Sequence, residues 1–245
     1  MKRNLPIVLA AVGLASLTAT PALAIDGLSA NAAVTSNYVF RGISQSGANA
    51  AVQAGLDYAV PGTGLAIGTW ASSIDFGNQF GEDTPLEWDI YGSYTFAITD
   101  MFSLSAGAIH YTYPSSPHGL NYNWYEGWVG ASYNFGVATV GGKVYYSPDY
   151  VNLSTHQFYY TAGITFPIAP WLSISANVGH TDVDHPVAPI IKDYTDWNVS
   201  VAATYENFTV TLGYTDTDLD GIYEVSTGPF QTTAQFYAML SFKLP

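Results

Sequence analysis

Three carboxylates alternate along Asp216-Thr217-Asp218-Leu219-Asp220, with Gly221 next. In a calcium loop, oxygens at alternate positions converge on the ion and the glycine permits the sharp turn. Only the first half of such a loop is present here. Its twelfth position calls for a bidentate glutamate and holds Thr227, while Glu224 stands three residues early. An acidic, solvated loop is the preferred account, and calcium at Asp216, Asp218 and Asp220 is the alternative. The histidines His110, His118, His156, His180 and His185 show no HxH or HxxxH spacing for a metal. Nor does a GxSxG elbow occur. A lipase on a barrel wall would need a serine beside an outward histidine. His180 faces outward by parity, but Ser154 falls in a loop and Ser200 on the opposite face, so the expectation is a non-enzyme.

The remaining charges are spread thinly, and what they can do depends on the elements that carry them. After the first 24 residues the chain has period two almost throughout. Ala50, Val52, Ala54, Leu56, Tyr58 and Val60 lie on one face, opposite Gln53, Gly55 and Asp57. Leu86, Trp88, Ile90, Tyr94, Phe96 and Ile98 oppose Glu87, Asp89, Ser93 and Thr95. Alternation of this kind predicts half-buried strands. Read throughout, it gives about twelve, near 28–41, 50–60, 64–76, 86–98, 102–113, 122–135, 137–147, 157–167, 171–181, 194–205, 208–215 and 233–244. Alternation is poorest in the second half of 64–76 and in 102–113.

Strand length and loop pattern say what these strands cross. At roughly ten residues they match a tilted membrane strand, about twice the soluble norm. Tight turns near Pro61-Gly62, Thr99-Asp100, Phe135-Gly136, Ala169-Pro170 and Glu206-Asn207 alternate with long polar loops near 42–49, 77–85, 114–121, 148–156, 182–193 and 216–232. This is the asymmetry of bacterial outer-membrane barrels, with short turns inside and long loops outside. Aromatics on the apolar face gather at strand ends. Phe40, Trp88, Tyr146, Phe158, Trp197 and Tyr214 form an outer girdle, and Tyr58, Phe96, Phe135, Phe166, Tyr205 and Phe242 an inner one. A soluble sandwich would place its largest residues mid-strand.

Composition agrees. Apolar content is 48% and aromatic content 15%, yet no apolar run beyond the start is long enough for a spanning helix. Lys2 and Arg3, the apolar Leu5 to Leu17 and Ala22-Leu23-Ala24 read as an export signal cleaved after Ala24, leaving 25–245 as the barrel. Of six Lys and Arg, four remain after cleavage against 19 acidic residues, a formal charge of −15. Nucleic acid is excluded as a partner, since phosphate contacts need a basic face. Cysteine is absent, so neither disulfides nor thiolate metal sites contribute.

By parity with the lipid face, Arg41, Asp57, Glu87, Asp89, Glu126, Lys143 and Asp196 point into the lumen. In an open lumen, five carboxylates against two cations would favour positive or neutral solutes. In a closed one, Arg41 and Lys143 would pair with Glu126, Glu87 or Asp89 and tie opposite walls together. Tyr91, Tyr122, Trp124, Trp128 and Tyr159 share this face, as stacking platforms for flat solutes or as filling.

Several segments resemble the TorF-type putative porin family of proteobacterial outer-membrane proteins. They are Ser36-Asn37-Tyr38-Val39-Phe40-Arg41-Gly42, Val52-Gln53 with Gly55-Leu56-Asp57-Tyr58, Gly68-Thr69-Trp70-Ala71-Ser72, Glu87-Trp88-Asp89-Ile90-Tyr91, Tyr146-Ser147-Pro148-Asp149-Tyr150 and Tyr214-Thr215-Asp216-Thr217-Asp218. The resemblance covers nearly the whole mature chain and implies a porin-like barrel without catalytic residues. One departure is the ending Leu244-Pro245 after Phe242, where assembly signals usually finish on an aromatic. The expectation is a transmembrane antiparallel β-barrel among outer-membrane lipids, a passive channel for small hydrophilic solutes that needs no cofactor. The alternatives are a closed structural or surface-binding barrel and, third, a barrel enzyme.

Overall fold

Alternation with apolar residues on one side closes the chain into a cylinder. A computed structural model describes residues 25–77, 83–117, 120–186 and 192–244. The export segment, His118 and parts of the loops expected near 77–85, 114–121 and 182–193 lie outside the described residues. In chain order the strands are β1 (Leu28–Thr35), β2 (Val39–Phe40), β3 (Ile43–Ser44), β4 (Ala51–Ala59), β5 (Leu65–Ser73), β6 (Leu86–Ala97) and β7 (Phe102–Thr112). Then come β8 (Trp124–Asn134), β9 (Thr139–Ser147), β10 (Gln157–Ala169), β11 (Leu172–Val183), β12 (Tyr194–Tyr205), β13 (Phe208–Thr217) and β14 (Gln235–Leu244). Twelve of them form one closed barrel, each antiparallel to its neighbours, with β1 joined to both β4 and β14. Strands β2 and β3 form a separate two-stranded hairpin.

The burial pattern is that of a protein solvated by lipid. On β6, Trp88 and Ile90 are exposed while Glu87 and Asp89, which alternate with them, are buried. On β8, Val129 is 60% exposed and Glu126 only 1%. A sandwich folding in water would reverse this, since each large apolar side chain left in water forfeits about 1.5–3 kcal/mol. Trp88, Tyr125, Tyr146, Phe158 and Phe236 form an exposed aromatic row toward the long loops, and Phe96, Phe135, Phe166, Trp171 and Tyr205 form one toward the tight turns. Between the rows lie Val52, Leu56, Ile67, Ile90, Val129, Val178 and Leu212, also exposed. At the turn end the described residues begin beside the β4–β5 turn, where the Ala59 amide donates to the Gly27 carbonyl at 2.8 Å.

The first expected strand departs from expectation. It ends at Thr35, whose hydroxyl caps the break by donating to the Asn37 carbonyl at 2.8 Å. The chain then folds back on itself. Phe40 pairs with Ile43, and between them Arg41 (φ 49°) and Gly42 (φ 80°) form the connection. Positive φ at both central residues is the mark of a type I′ turn, whose twist suits a tight hairpin. Phe40 therefore does not join the outer girdle. It lies inside, its ring 5.9 Å from that of Tyr111.

Candidate functional site: a hairpin across the lumen

Twelve strands ~4.8 Å apart and tilted ~40° make a backbone cylinder about 24 Å across. Inward side chains leave a gap of roughly 10–12 Å, about the thickness of one further packed β layer. The β2–β3 hairpin occupies such a gap.

Its anchors lie on widely separated strands. Near the base, Asn37 Nδ2 donates to Gln235 Oε1 of β14, and the Ser44 amide donates to the Gln231 carbonyl at 2.9 Å. Tyr38 packs edge-on against Trp70 of β5 and donates its hydroxyl to Glu87 Oε1 of β6 at 3.3 Å. At the tip, Gly42 lies against β12 and β13, where a Cβ would come within 2.5 Å of Thr217 Cγ2 and 2.9 Å of Asp196 Cβ. Glycine is thus required there twice over, by conformation and by contact. Tyr194 donates its hydroxyl to the Arg41 carbonyl at 3.0 Å.

The Arg41 side chain, 5% exposed, reaches the wall opposite β1. Its Nη2 donates to both carboxylate oxygens of Glu126 on β8, at 2.7 and 2.8 Å, and its Nη1 to Gln157 Oε1 on β10 at 2.9 Å. Tyr111 adds its hydroxyl to Glu126 Oε1 at 2.8 Å. The guanidinium carbon stands 4.1 Å from the Tyr159 ring centroid and 5.2 Å from that of Tyr145, where the ring faces attract a cation. One buried charge pair, satisfied by hydrogen bonds from three walls, pins the hairpin in place.

All seven charged side chains named from parity lie in the interior. Arg41 pairs with Glu126, one of the partners named for it, and with no second carboxylate among the described residues. Among the described residues Lys143 forms no ion pair; its Nζ rests 4.0 Å from the Trp128 ring centroid. Asp57 accepts from the Tyr91 hydroxyl at 2.6 Å and from Asn31 Nδ2 at 3.2 Å. Asp196 accepts from the Tyr159 hydroxyl at 3.3 Å. Among the described residues no group donates to Glu87 Oε2, Asp89 Oδ1 or Asp196 Oδ2, although all three residues are buried.

The interior thus has two levels. Toward the loops, Gln53, Ser72, Glu87, Asp89, Tyr111, Trp124, Gln157, Tyr194 and Gln235 are buried around the hairpin. Trp124 stacks on Tyr111 with centroids 4.1 Å apart and both are buried, so neither presents a free face to a solute. Toward the turns, Asn31, Asp57, Tyr91, Ser93, Trp128, Lys143, Asn177 and Tyr237 are partly accessible and outline a vestibule. Side chains here lie flat along the wall because the neighbouring strand offers glycine. Trp128 lies over Gly107, where a Cβ would meet its ring at 2.7 Å, and Tyr237 over Gly213, where it would meet the ring at 2.2 Å.

The alternating aspartates do not converge. Strand β13 runs to Thr217, which places Asp216 on its outward face, accepting from the Tyr214 hydroxyl at 3.0 Å. Asp218 accepts from the Thr195 amide at 2.6 Å, and Asp220 pairs with Lys192. A strand sends alternate side chains along one edge, whereas a calcium loop must curl them inward. Among the described residues no three His, Asp or Glu side chains are grouped to hold a metal. On the outer wall, His180 Nδ1 lies 3.1 Å from the Thr195 hydroxyl, with neither Ser154 nor Ser200 as its partner.

Sequence reasoning missed Tyr38, Tyr111, Tyr145 and Gln157 as members of the site. Gln157 was open to the parity argument, two residues before Tyr159 on the same inward face.

A sequence model of a family described as "Bacterial protein of unknown function (Gcw_chp)" matches residues 19–242. The chain belongs to the Gcw_chp family. No protein of curated function matches it. Among solved structures, this Gcw_chp chain is similar to the KdgM porin, with a TM-score of 0.58 at 9% identity over 89% of this chain and 98% of that one. It is similar to the NanC porin, with a TM-score of 0.57 at 15% identity over 89% and 100% of the two chains. A KdgM porin in complex with disordered oligogalacturonate gives 0.56 at 8% identity over 89% and 98%. At these identities the likeness is one of fold, and the fold is that of porin-like outer-membrane barrels.

Proposed function

We propose that the protein is an outer-membrane, porin-type channel for small hydrophilic solutes, that it favours cations, and that its path narrows at the β2–β3 hairpin. The observation that carries this reading is the charge of the interior. Arg41 cancels Glu126, which leaves Asp57, Glu87, Asp89 and Asp196 against Lys143 alone among the described inward charges. Carboxylates with unmet oxygens are costly in a dry core and less so where water or a cation reaches them, so a path that admits hydrated cations accounts for them. The accessible vestibule at the turn end supplies the near half of that path. The fold shared with KdgM and NanC points the same way, as does the resemblance of several segments to TorF-type putative porins. Passage is passive, because nothing in the sequence suggests an energy source.

The Arg41–Glu126 pair favours a second reading, in which the hairpin stays seated and the barrel is a closed surface structure. Planar-bilayer recording of refolded protein separates the two. Discrete conductance steps with a cation-biased reversal potential support the channel. Silence under conditions where a known porin conducts supports the closed barrel.

A further inference from the structure

Two carboxylates on β6 remain outside the Arg41 cluster. Glu87 and Asp89 stand two residues apart and so share the inward face of the strand. They are 2% and 4% exposed. Each keeps one oxygen, Glu87 Oε2 and Asp89 Oδ1, to which no described protein group donates. Among the described residues the one side chain that bonds to the pair is Tyr38, whose hydroxyl the hairpin delivers to Glu87 Oε1 at 3.3 Å. The interior cations are spent elsewhere, Arg41 on Glu126 and Gln157, and Lys143 on the face of Trp128.

Two buried negative charges without a counter-ion do not persist, because each costs several kcal/mol to desolvate, so the pair takes up either protons or a cation. We propose that Glu87 and Asp89, closed over by Tyr38, bind one hydrated divalent cation of the magnesium or calcium class. The donors are hard oxygens with a joint charge of −2, which a single such ion neutralises. Two carboxylates are few for calcium in a full protein cage, but they suit an ion that keeps several of its waters. The ion also fastens the hairpin to β6, since the Tyr38 hydroxyl shares Glu87 with it. The site does not depend on conduction.

The test is thermal unfolding of the refolded full chain in detergent, first with chelator and then with magnesium or calcium chloride against sodium chloride of equal ionic strength. At about a tenfold excess over Kd, the divalent salts raise the midpoint by about 4 °C. Glu87→Gln and Asp89→Asn each abolish that rise, whereas Asp218→Asn in the acidic loop retains it. Terbium luminescence, sensitised by the nearby aromatic rings, appears with the parent chain and is lost in both β6 variants. It serves as the readout if either variant melts too low for comparison. Equal response to sodium and divalent salts overturns the proposal. So does a rise that survives both β6 substitutions or vanishes with Asp218→Asn. An absence of channel current with the divalent response intact refutes conduction and leaves the cation site standing.

Discussion

Replacing Arg41 by alanine removes the bonds from the guanidinium to Glu126 and Gln157 and leaves Glu126, 1% exposed, with the Tyr111 hydroxyl as its remaining partner. Stranding one member of a buried charge pair costs about 3–5 kcal/mol. At ~1.4 kcal/mol per tenfold, the seated state of the hairpin loses a factor on the order of 10² to 10³. Where that loss appears separates the two functional readings. If the hairpin leaves its seat while the barrel stays closed, conductance rises and the unfolding midpoint barely moves. If the hairpin is an integral tie, the unfolding free energy falls by the full amount and current does not change. Refolded Arg41→Ala protein is measured both by single-channel recording and by denaturant unfolding. A double-mutant cycle with Glu126→Gln should return a coupling of at least ~2 kcal/mol, because the second substitution removes the charge the first one stranded. Unchanged conductance together with unfolding free energy within ~0.5 kcal/mol of the parent, the scatter of neutral surface substitutions, would refute the reasoning.

Further outcomes follow from the same geometry. Gly213→Ala places a methyl 2.2 Å from the Tyr237 ring, so it either destabilises by about 1–3 kcal/mol or swings that ring into the vestibule and lowers conductance. Denaturant titration and bilayer recording read the two effects. Val129→Lys, on the lipid face, should cost about 2–4 kcal/mol in bilayer refolding, while Ser93→Lys, facing the vestibule, costs far less. At the loop end, Lys192 bonds to Asp220, which holds the Asp220 carboxyl below its ordinary range and the Lys192 ammonium above its own. That tie is present above the usual aspartate value of about 3.9 and is lost as pH falls through the depressed one. Amide protection around residues 218–224 should therefore drop on acidification and, because both groups are exposed, also on adding salt.

Strand-by-strand alternation made the barrel wall legible to within one to three residues at most ends, because lipid outside and polar interior inside impose opposite demands on successive residues. Even 102–113, which alternates poorly, is a full strand as β7, held by its partners β6 and β8. The hairpin was not legible. Tyr38-Val39-Phe40 continues the period of β1, and a period of two carries no information about whether the chain runs on or folds back. Arg41-Gly42 is not the Asn-Gly or Asp-Gly pair that announces a type I′ turn. Arg41 tolerates its left-handed backbone only because partners 85 and 116 residues further along the chain, Glu126 and Gln157, hold its side chain. Parity put Arg41 in the interior as the end of a strand, whereas it is there as the tip of a turn. The same limit explains Lys143, whose inward direction was readable but whose choice of Trp128 over a carboxylate depends on neighbouring-strand register.

The central claim is that the β2–β3 hairpin is what narrows the path through an otherwise wide cylinder. Excising residues 38–45 and joining the flanks with a short Gly-Asn turn tests it most directly by single-channel recording beside the parent. A several-fold larger conductance with cation preference retained is the expected result, since Asp57 and Asp196 remain on the wall and Glu126 loses the Arg41 charge that cancels it. A correctly assembled excised barrel that conducts no more than the parent would contradict the claim.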